Sequence, residues 1–394
     1  MEPKRKRLNR RGLLGAAGGV AALGAVGAGA AALARDSGTP GPEAPAATTV
    51  AFHGPHQAGI TGEAQSRTVL LALDVNADVG TDRLAAVMRL LTDDAARLTR
   101  GEAALADADP QLAAEPARLT VTFGFGLDLL ERLGLAVPDG AAPLPEFTVD
   151  RLDDAWSGGD LLIQVCGDGD LAVSHAIRML VKDTRSFAAV RWTQRGFQQR
   201  PAAGGTPRNV LGQMDGTGNP DPSTAEGAEA VWFGPDAGAL EGGTVMVVRR
   251  MRTDLDQWDK LDETGKDRVI GRRLADGSPL TGEREADEPD LEAREDSGLL
   301  VIPTGAHVRR AKEAGTTILR RSYNYDDGPG PQGESDTGLV FVSYQADTGR
   351  FTAIQERLAE ADLLNDYAVP IGSAVFVLPP GCDETGWIGQ GLIA

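Results

Sequence analysis

Apolar positions along the chain fall into two similar passes of strand and helix. In the first, Thr68–Val75 is apolar enough to predict a strand, and a helical pattern follows from Asp82 to Leu98. Leu119–Phe125 alternates like a half-buried strand and runs into a short helix, Leu127–Leu133. Asp160–Cys166 and Phe187–Trp192 predict two more strands, with apolar residues at helical spacing between them from Leu171 to Val181. The second pass opens with a strand at Thr244–Met251 and a helical region from Leu255 to Ile270. Strands are then expected at Thr317–Tyr323 and Gly338–Gln345, a helix from about Gly349 to Leu364, and a last strand at Ser373–Leu378.

Strand, helix, strand, strand, helix, strand is the order of a split βαβ, ferredoxin-like unit, and it occurs twice. Two such units with antiparallel sheets and helices on one face of each predict an α+β fold. A doubly wound parallel sheet would need a helix between nearly all consecutive strands. The strand from Phe187 and the helix-free link from Ile318 to Gln345 count against it. The expected organisation is an N-terminal unit over 49–200, a connecting region over 201–242 and a C-terminal unit over 243–394.

Composition refines this picture. At 394 residues, 41% apolar and 24% charged, the chain can bury a substantial core. Its net charge of −18 argues against nucleic acid, whose phosphates need a basic face. Residues 1–34 read as a targeting segment: a basic run Lys4–Arg7, twin arginines Arg10 and Arg11, a weakly apolar Ala/Gly-rich core, and a small-x-small site at Ala32–Ala34. This resembles a Tat signal, the export route for folded proteins. The competing reading, a membrane anchor, suits the glycine-rich span poorly, so no stable membrane insertion is expected after signal removal. The segment carries six basic residues and one acidic, so the remainder is about −23, the chain's −18 less their +5. Residues 35–48, rich in Pro, Gly, Ala and Thr, predict a flexible linker. Cys166 and Cys382 match no metal or redox spacing and make no disulfide framework, a single pairing remaining open. Glu283–Asp296, with eight acidic residues and two arginines, reads as a solvated loop without chemistry.

The chemistry centres on Leu211–Pro220, where Asp215 lies among glycines at 212, 216 and 218 that permit tight turns or close approach to a ligand. Alone it reads as a surface turn. Downstream, Ile302-Pro-Thr-Gly-Ala-His-Val-Arg-Arg310 is followed by Ile318-Leu-Arg-Arg-Ser-Tyr-Asn-Tyr325. Together the three stretches resemble the dye-decolourising peroxidase family of haem enzymes, whose hallmark is a Gly-x-x-Asp-Gly loop over the haem. Val50–Ile60 is similar to the opening of the family's extracellular-type, Tat-exported members. The resemblance covers about Val50 to Leu392 and implies the dimeric α+β barrel form of the two ferredoxin-like units.

The resemblance also implies a cofactor and its ligands. One haem b per chain would be bound through His307, the proximal metal ligand among four histidines. His175, in a helical pattern, and His53 and His56, in a loop, suit ordinary structural roles better. An acid from the last helix should hold the ring's other nitrogen, with Asp366 the best positional match and Asp362 the runner-up. On the opposite face Asp215 would relay a proton and Arg320 would stabilise developing negative charge, with Arg321 facing the other side of the strand. Arg272, in Val269-Ile-Gly-Arg272, would bind a propionate, and Gly216 and Thr217 would lie against the porphyrin edge. The implied activity is reduction of hydrogen peroxide and oxidation of a dye-like, phenolic or other donor through ferryl and porphyrin-radical states. Iron release from haem, as in deferrochelatases, and non-enzymatic haem carriage are the alternatives. A homo-oligomer is left open.

Overall fold

In the computed structural model, which describes residues 49–394 except 202–203, 331–332 and 334, the central strands are covered on both faces, whereas the strand Ala188–Phe197 leaves alternate residues exposed. The first unit runs β1 (Arg67–Val75), α1 (Thr81–Thr99), β2 (Thr120–Gly126), α2 (Leu127–Leu133), β3 (Leu161–Gly167), α3 (Asp170–Thr184) and β4 (Ala188–Phe197). β2 and β3 are buried at every position. Alternate residues explain why. Val69, Leu71, Ile163, Val165 and Phe123 pack under α1 and α3, whereas Leu70, Ala72 and Leu162 join a second core with Met246, Val342 and Phe376. A strand buried on both faces needs apolar residues at successive positions, hence the continuous runs in the sequence.

The connecting region contributes α4 (Ala225–Val231). The second unit then runs β5 (Thr244–Thr253), α5 (Leu255–Trp258), α6 (Glu263–Ile270), α7 (His307–Lys312), β6 (Leu319–Arg320), β7 (Tyr323–Pro329), β8 (Ser335–Gln345), α8 (Thr348–Ala361) and β9 (Ala368–Leu378), with α9 (Gln390–Ile393) at the end. Strand neighbours run β5-β9-β2-β3-β1-β4-β7-β8, and β8 returns to β5, so the sheet closes into a barrel. Every pairing is antiparallel. The fold is therefore α+β, and each half has ferredoxin-like strand order: β4-β1-β3-β2 in the first, β9-β5-β8-β7 in the second. The halves join where β2 meets β9 and β4 meets β7.

Some elements differ from the periodicity. The helical region expected over Leu255–Ile270 is two helices, because Asp254 and Asp262 each cap a new start by accepting from the backbone N–H of Gln257 and Gly265. The strand expected at Thr317–Tyr323 shrinks to Leu319–Arg320, with β7 beginning separately at Tyr323. The last long helix ends at Ala361 rather than Leu364, and a 3₁₀ turn, Leu363–Asp366, follows. The targeting segment and linker expected over 1–48 lie outside the described residues. Among the described residues no helix is long and apolar enough to cross a membrane.

Candidate functional site

Four segments of the second half and the connecting region converge: the Asp215 loop, β6, the start of α7 and the end of α8. The loop is held by its own polar side chains. Asn209 Oδ1 accepts from the N–H groups of Leu211 and Gln213, both at 3.1 Å, and the Asp215 N–H donates to Pro207 O at 2.9 Å. Buried Asn324 of β7 clamps it from below, accepting from Val210 N at 2.8 Å and donating to Arg208 O at 3.2 Å. Gly216 has φ 128°, a conformation open in practice only to glycine. Asn209 and Asn324 were not expected as site residues; an asparagine beside a glycine-rich turn is the signal that could have found Asn209.

Arg320 reaches this loop from β6. Its Nη2 donates to Thr217 O at 2.7 Å, and its Nη1 lies 3.5 Å from Asp215 Oδ1. Asn219 grips the Arg320 backbone in both directions, at 2.7 and 3.1 Å. The carbonyl of Thr217 thus fixes the guanidinium, and its contact with Asp215 is loose. Both side chains stay partly open, at 28% and 21%, which leaves them free to act on a third group. Arg321 is buried facing the other way, into the barrel, and donates to Gln65 Oε1 at 2.6 Å and to Gly62 O.

His307 opens α7. Its Nδ1 lies 2.6 Å from Asp362 Oδ2, while Asp362 Oδ1 accepts from Leu364 N at 2.9 Å. Asp362 therefore replaces Asp366 as the partner of His307. Because α8 stops at Ala361, the acid at its end is Asp362, whereas Asp366 is exposed at the end of the following turn. Gly305 permits the approach: a Cβ there would lie 2.9 Å from both Ala361 O and Leu363 Cγ. Burial pushes the His307 ring down, but the charge and hydrogen bond of Asp362 outweigh it and raise its pKa. Arg320 and Asp215 are near enough that their charges also act on the ring. The imidazole lies deep in the protein, yet 32% of its side-chain surface is open. It faces space rather than neighbours, and among the described residues its Nε2 has no hydrogen-bond partner.

Arg272 is half-buried, and its Nη1 donates to Gly277 O and Glu285 O, both at 2.8 Å. Burial lowers its pKa, with Arg320 adding to that and Glu285 and Glu288 opposing it. The acidic run Glu283–Asp296 is not merely solvated. Glu285 Oε1 accepts from the hydroxyls of Thr206 and, at 2.7 Å, Thr217, and Leu291 O accepts from Arg309 of α7. The structure so brings together His307, Asp215, Arg320, Gly216, Thr217 and Arg272, and leaves Asp366 outside.

Two family signatures match this chain, Dyp-type peroxidase, N-terminal, over residues 57–198, and Dyp-type peroxidase, C-terminal, over residues 206–383. The chain belongs to the Dyp-type peroxidase family. It is 38% identical to a dye-decolorizing peroxidase of Thermobifida fusca over 364 residues, 86% of this chain and 83% of that one. The crystal structure of a DyP-type peroxidase from Cellulomonas bogoriensis superposes with a TM-score of 0.86 at 45% identity, covering 89% of this chain and 99% of that one. A deferrochelatase of Escherichia coli is 34% identical over 368 residues, 87% of this chain and 86% of that one. This Dyp-type chain is a haem-dependent peroxidase, an oxidoreductase.

The residues present fit that group. One imidazole has Nδ1 held by a carboxylate and Nε2 unengaged among the described residues, the arrangement in which a histidine binds a metal through one nitrogen while an acid orients the other. The other histidines differ. His175 also meets a carboxylate, Asp107 at 2.8 Å, but it is buried and its second nitrogen is taken by Arg178 at 3.1 Å, and His56 bonds Gly242 O at 2.7 Å while stacking on Trp232. Cys166 and Cys382 are free thiols, and burial pushes Cys382 up to about 11, so it is protonated at neutral pH. A separate groove of about 770 Å³ beside His53, Arg89 and Trp387 shares no residue with the His307 cluster.

Proposed function

We propose that this chain binds one haem b through His307 and reduces hydrogen peroxide while oxidising a phenolic, dye-like or other electron donor. One observation carries the reading: the His307–Asp362 pair and the Asp215–Arg320 pair lie within range of one another's charges. Haem, when bound, supplies the electrons that cleave the O–O bond and recovers them from the donor. The chain's own residues handle protons and charge. Asp215 takes a proton from one peroxide oxygen and returns it to the other, which leaves as water. Arg320 balances the negative charge that builds on the departing oxygen. Asp362 keeps the Nδ1 proton of His307 engaged and turns Nε2 into the stronger donor. Arg272, whose Nη2 has no partner among the described residues, would bind a propionate, and Gly216 and Thr217 would edge the porphyrin. The twin arginines Arg10 and Arg11 support export by the Tat route after haem insertion.

His307→Ala tests the ligand. The purified variant should lose the haem absorption band and the one-to-one stoichiometry, whereas retention of both would remove His307 from the iron. The deferrochelatase relative supports a second reading, iron release from haem. Metal-free porphyrin fluorescence growing in a haem-loaded sample under reducing conditions would favour it, and peroxide-dependent oxidation of a phenol would favour the first.

A further inference from the structure

A single oxygen of Glu285 accepts hydrogen bonds from two threonines that flank Asp215 in sequence, Thr206 and Thr217. Both arms lead to the site. Thr206 precedes Pro207, whose carbonyl takes the Asp215 N–H, and the Thr206 methyl would lie 3.5 Å from a Cβ on Gly216. Thr217 gives its hydroxyl to Glu285 and its carbonyl to Arg320, at 2.7 Å in each case. Glu285 is itself fixed. Its carbonyl accepts from Arg272, and its Cγ packs where a Cβ on Gly277 would come within 3.2 Å. Gly277 has φ 73°, so the close packing coincides with a backbone conformation that glycine adopts most readily.

We propose that Glu285 is a positioning residue, a clasp that sets the Asp215 carboxylate and the Arg320 guanidinium together by tying both flanks of the loop to one acceptor atom. A hydroxyl-to-carboxylate bond is about twice as strong as one between neutral groups. Two of them on one oxygen give a short loop a fixed shape that its glycines would otherwise leave undefined. The role needs an acceptor at Oε1 rather than a negative charge, since both partners are neutral donors. The inference rests on the peroxidase reading for its catalytic consequence but not for its structural one.

The test compares Glu285→Ala and Glu285→Gln in the haem-loaded protein by two measurements. One is the rate of the haem spectral change after mixing with peroxide, followed across pH. The other is backbone amide hydrogen exchange of the Pro207–Asn219 segment without peroxide. Glu285→Ala should slow the peroxide reaction about 10–100-fold, the usual consequence of misplacing a reacting group by about 1 Å, and speed loop exchange about tenfold. Glu285→Gln keeps an acceptor oxygen without the charge assistance and should fall between wild type and Glu285→Ala in both, with the pH profile unmoved. Glu285→Ala matching wild type in loop exchange overturns the clasp. Glu285→Gln as impaired as Glu285→Ala also overturns it, in favour of a charge effect. Should Glu285→Ala not fold, Thr217→Val removes one arm and must still loosen the loop, and unchanged exchange there is equally fatal. A wild-type protein inert to peroxide would sink the peroxidase reading alone, because the exchange arm needs no peroxide.

Discussion

Asp362→Asn removes one charge from beside His307 without changing the size of the side chain. Asp362 serves two donors at once, Leu364 N at 2.9 Å through Oδ1 and His307 Nδ1 at 2.6 Å through Oδ2. An asparagine has one acceptor, so it can cap the turn or hold the ring but not both. In either orientation a terminal NH₂ is left facing a donor. The lost bond is charge-assisted, worth about 1.5–3 kcal/mol. Loss of a comparable outer partner weakens metal binding about 10–100-fold, or about 1.4–2.7 kcal/mol, so two separate scales agree. Titration of the haem-free variant with haemin, followed by absorbance, should therefore show affinity falling by about 10–100-fold. The iron midpoint potential should rise, by about 59 mV for each tenfold loss confined to the ferric form. Asp366→Asn is the control, and both quantities should hold at wild-type values. If Asp366→Asn moved the potential and Asp362→Asn moved neither quantity, the pairing derived above would be wrong.

Five further outcomes are expected. His307→Ala should be purified without haem, read from absorbance and iron content. Asp215→Asn should slow the reaction with peroxide about 10²–10⁴-fold. Arg320→Leu should cost about 10²–10³-fold, both checked by stopped-flow absorbance. Asp183 is pushed up to about 7 by burial and by its hydrogen bond to buried Asp94. The folded state therefore holds this proton more tightly than the unfolded chain, and stability falls as pH rises from about 4 to about 7. After discounting for partial exposure, Asp183→Asn should be more stable than wild type at pH 8 by about 1–2 kcal/mol and equal to it near pH 4; parallel melting curves across pH would contradict this. Changing Arg10 and Arg11 to Lys should leave haem-loaded precursor inside the cell, detected by fractionation, and normal secretion would refute the Tat assignment.

Much of the fold was legible because the two units bury their strands against both helices and barrel interior. That yields long apolar runs such as Leu161–Cys166, which periodicity detects readily. The same runs do not say which strand lies beside which. Closure through β8 and β5 rests on pairings far apart in sequence, such as Val248 with Val342, that no local pattern encodes. At the site, glycine spacing marked only a turn around Asp215, and the resemblance supplied its role together with His307 and Arg320. Asp362 ranked below Asp366 because the choice turned on where α8 ends, and helix ends are poorly encoded by apolar spacing. Glu285 was hidden for another reason. In a run of eight acidic residues nothing local distinguishes the one that meets two threonines brought in from the connecting region.

The two halves share a strand order but differ in what covers it, and that difference accounts for where the chemistry sits. In the first half α1, of 19 residues, packs against α3 and seals the sheet with a continuous apolar core. In the second half α8 is nearly as long as α3, with 14 residues against 15. The long helix has been replaced, however, by α5, α6 and α7, of 4, 8 and 6 residues. Short helices end often, and every end exposes backbone groups and side chains that a long helix would bury. His307 stands at one such end, the start of α7, and meets Asp362, at the end of the long α8, across 2.6 Å. The apolar cluster beside them is small, built on Leu211, Trp258, Val269 and Ile270. Trp258 donates its ring N–H to Leu211 O at 3.0 Å and so ties that cluster to the Asp215 loop. A second copy of the long α1 helix would have filled this space with aliphatic side chains. Three short helices in its place give up core on one face and leave His307, Arg320 and Asp215 partly open.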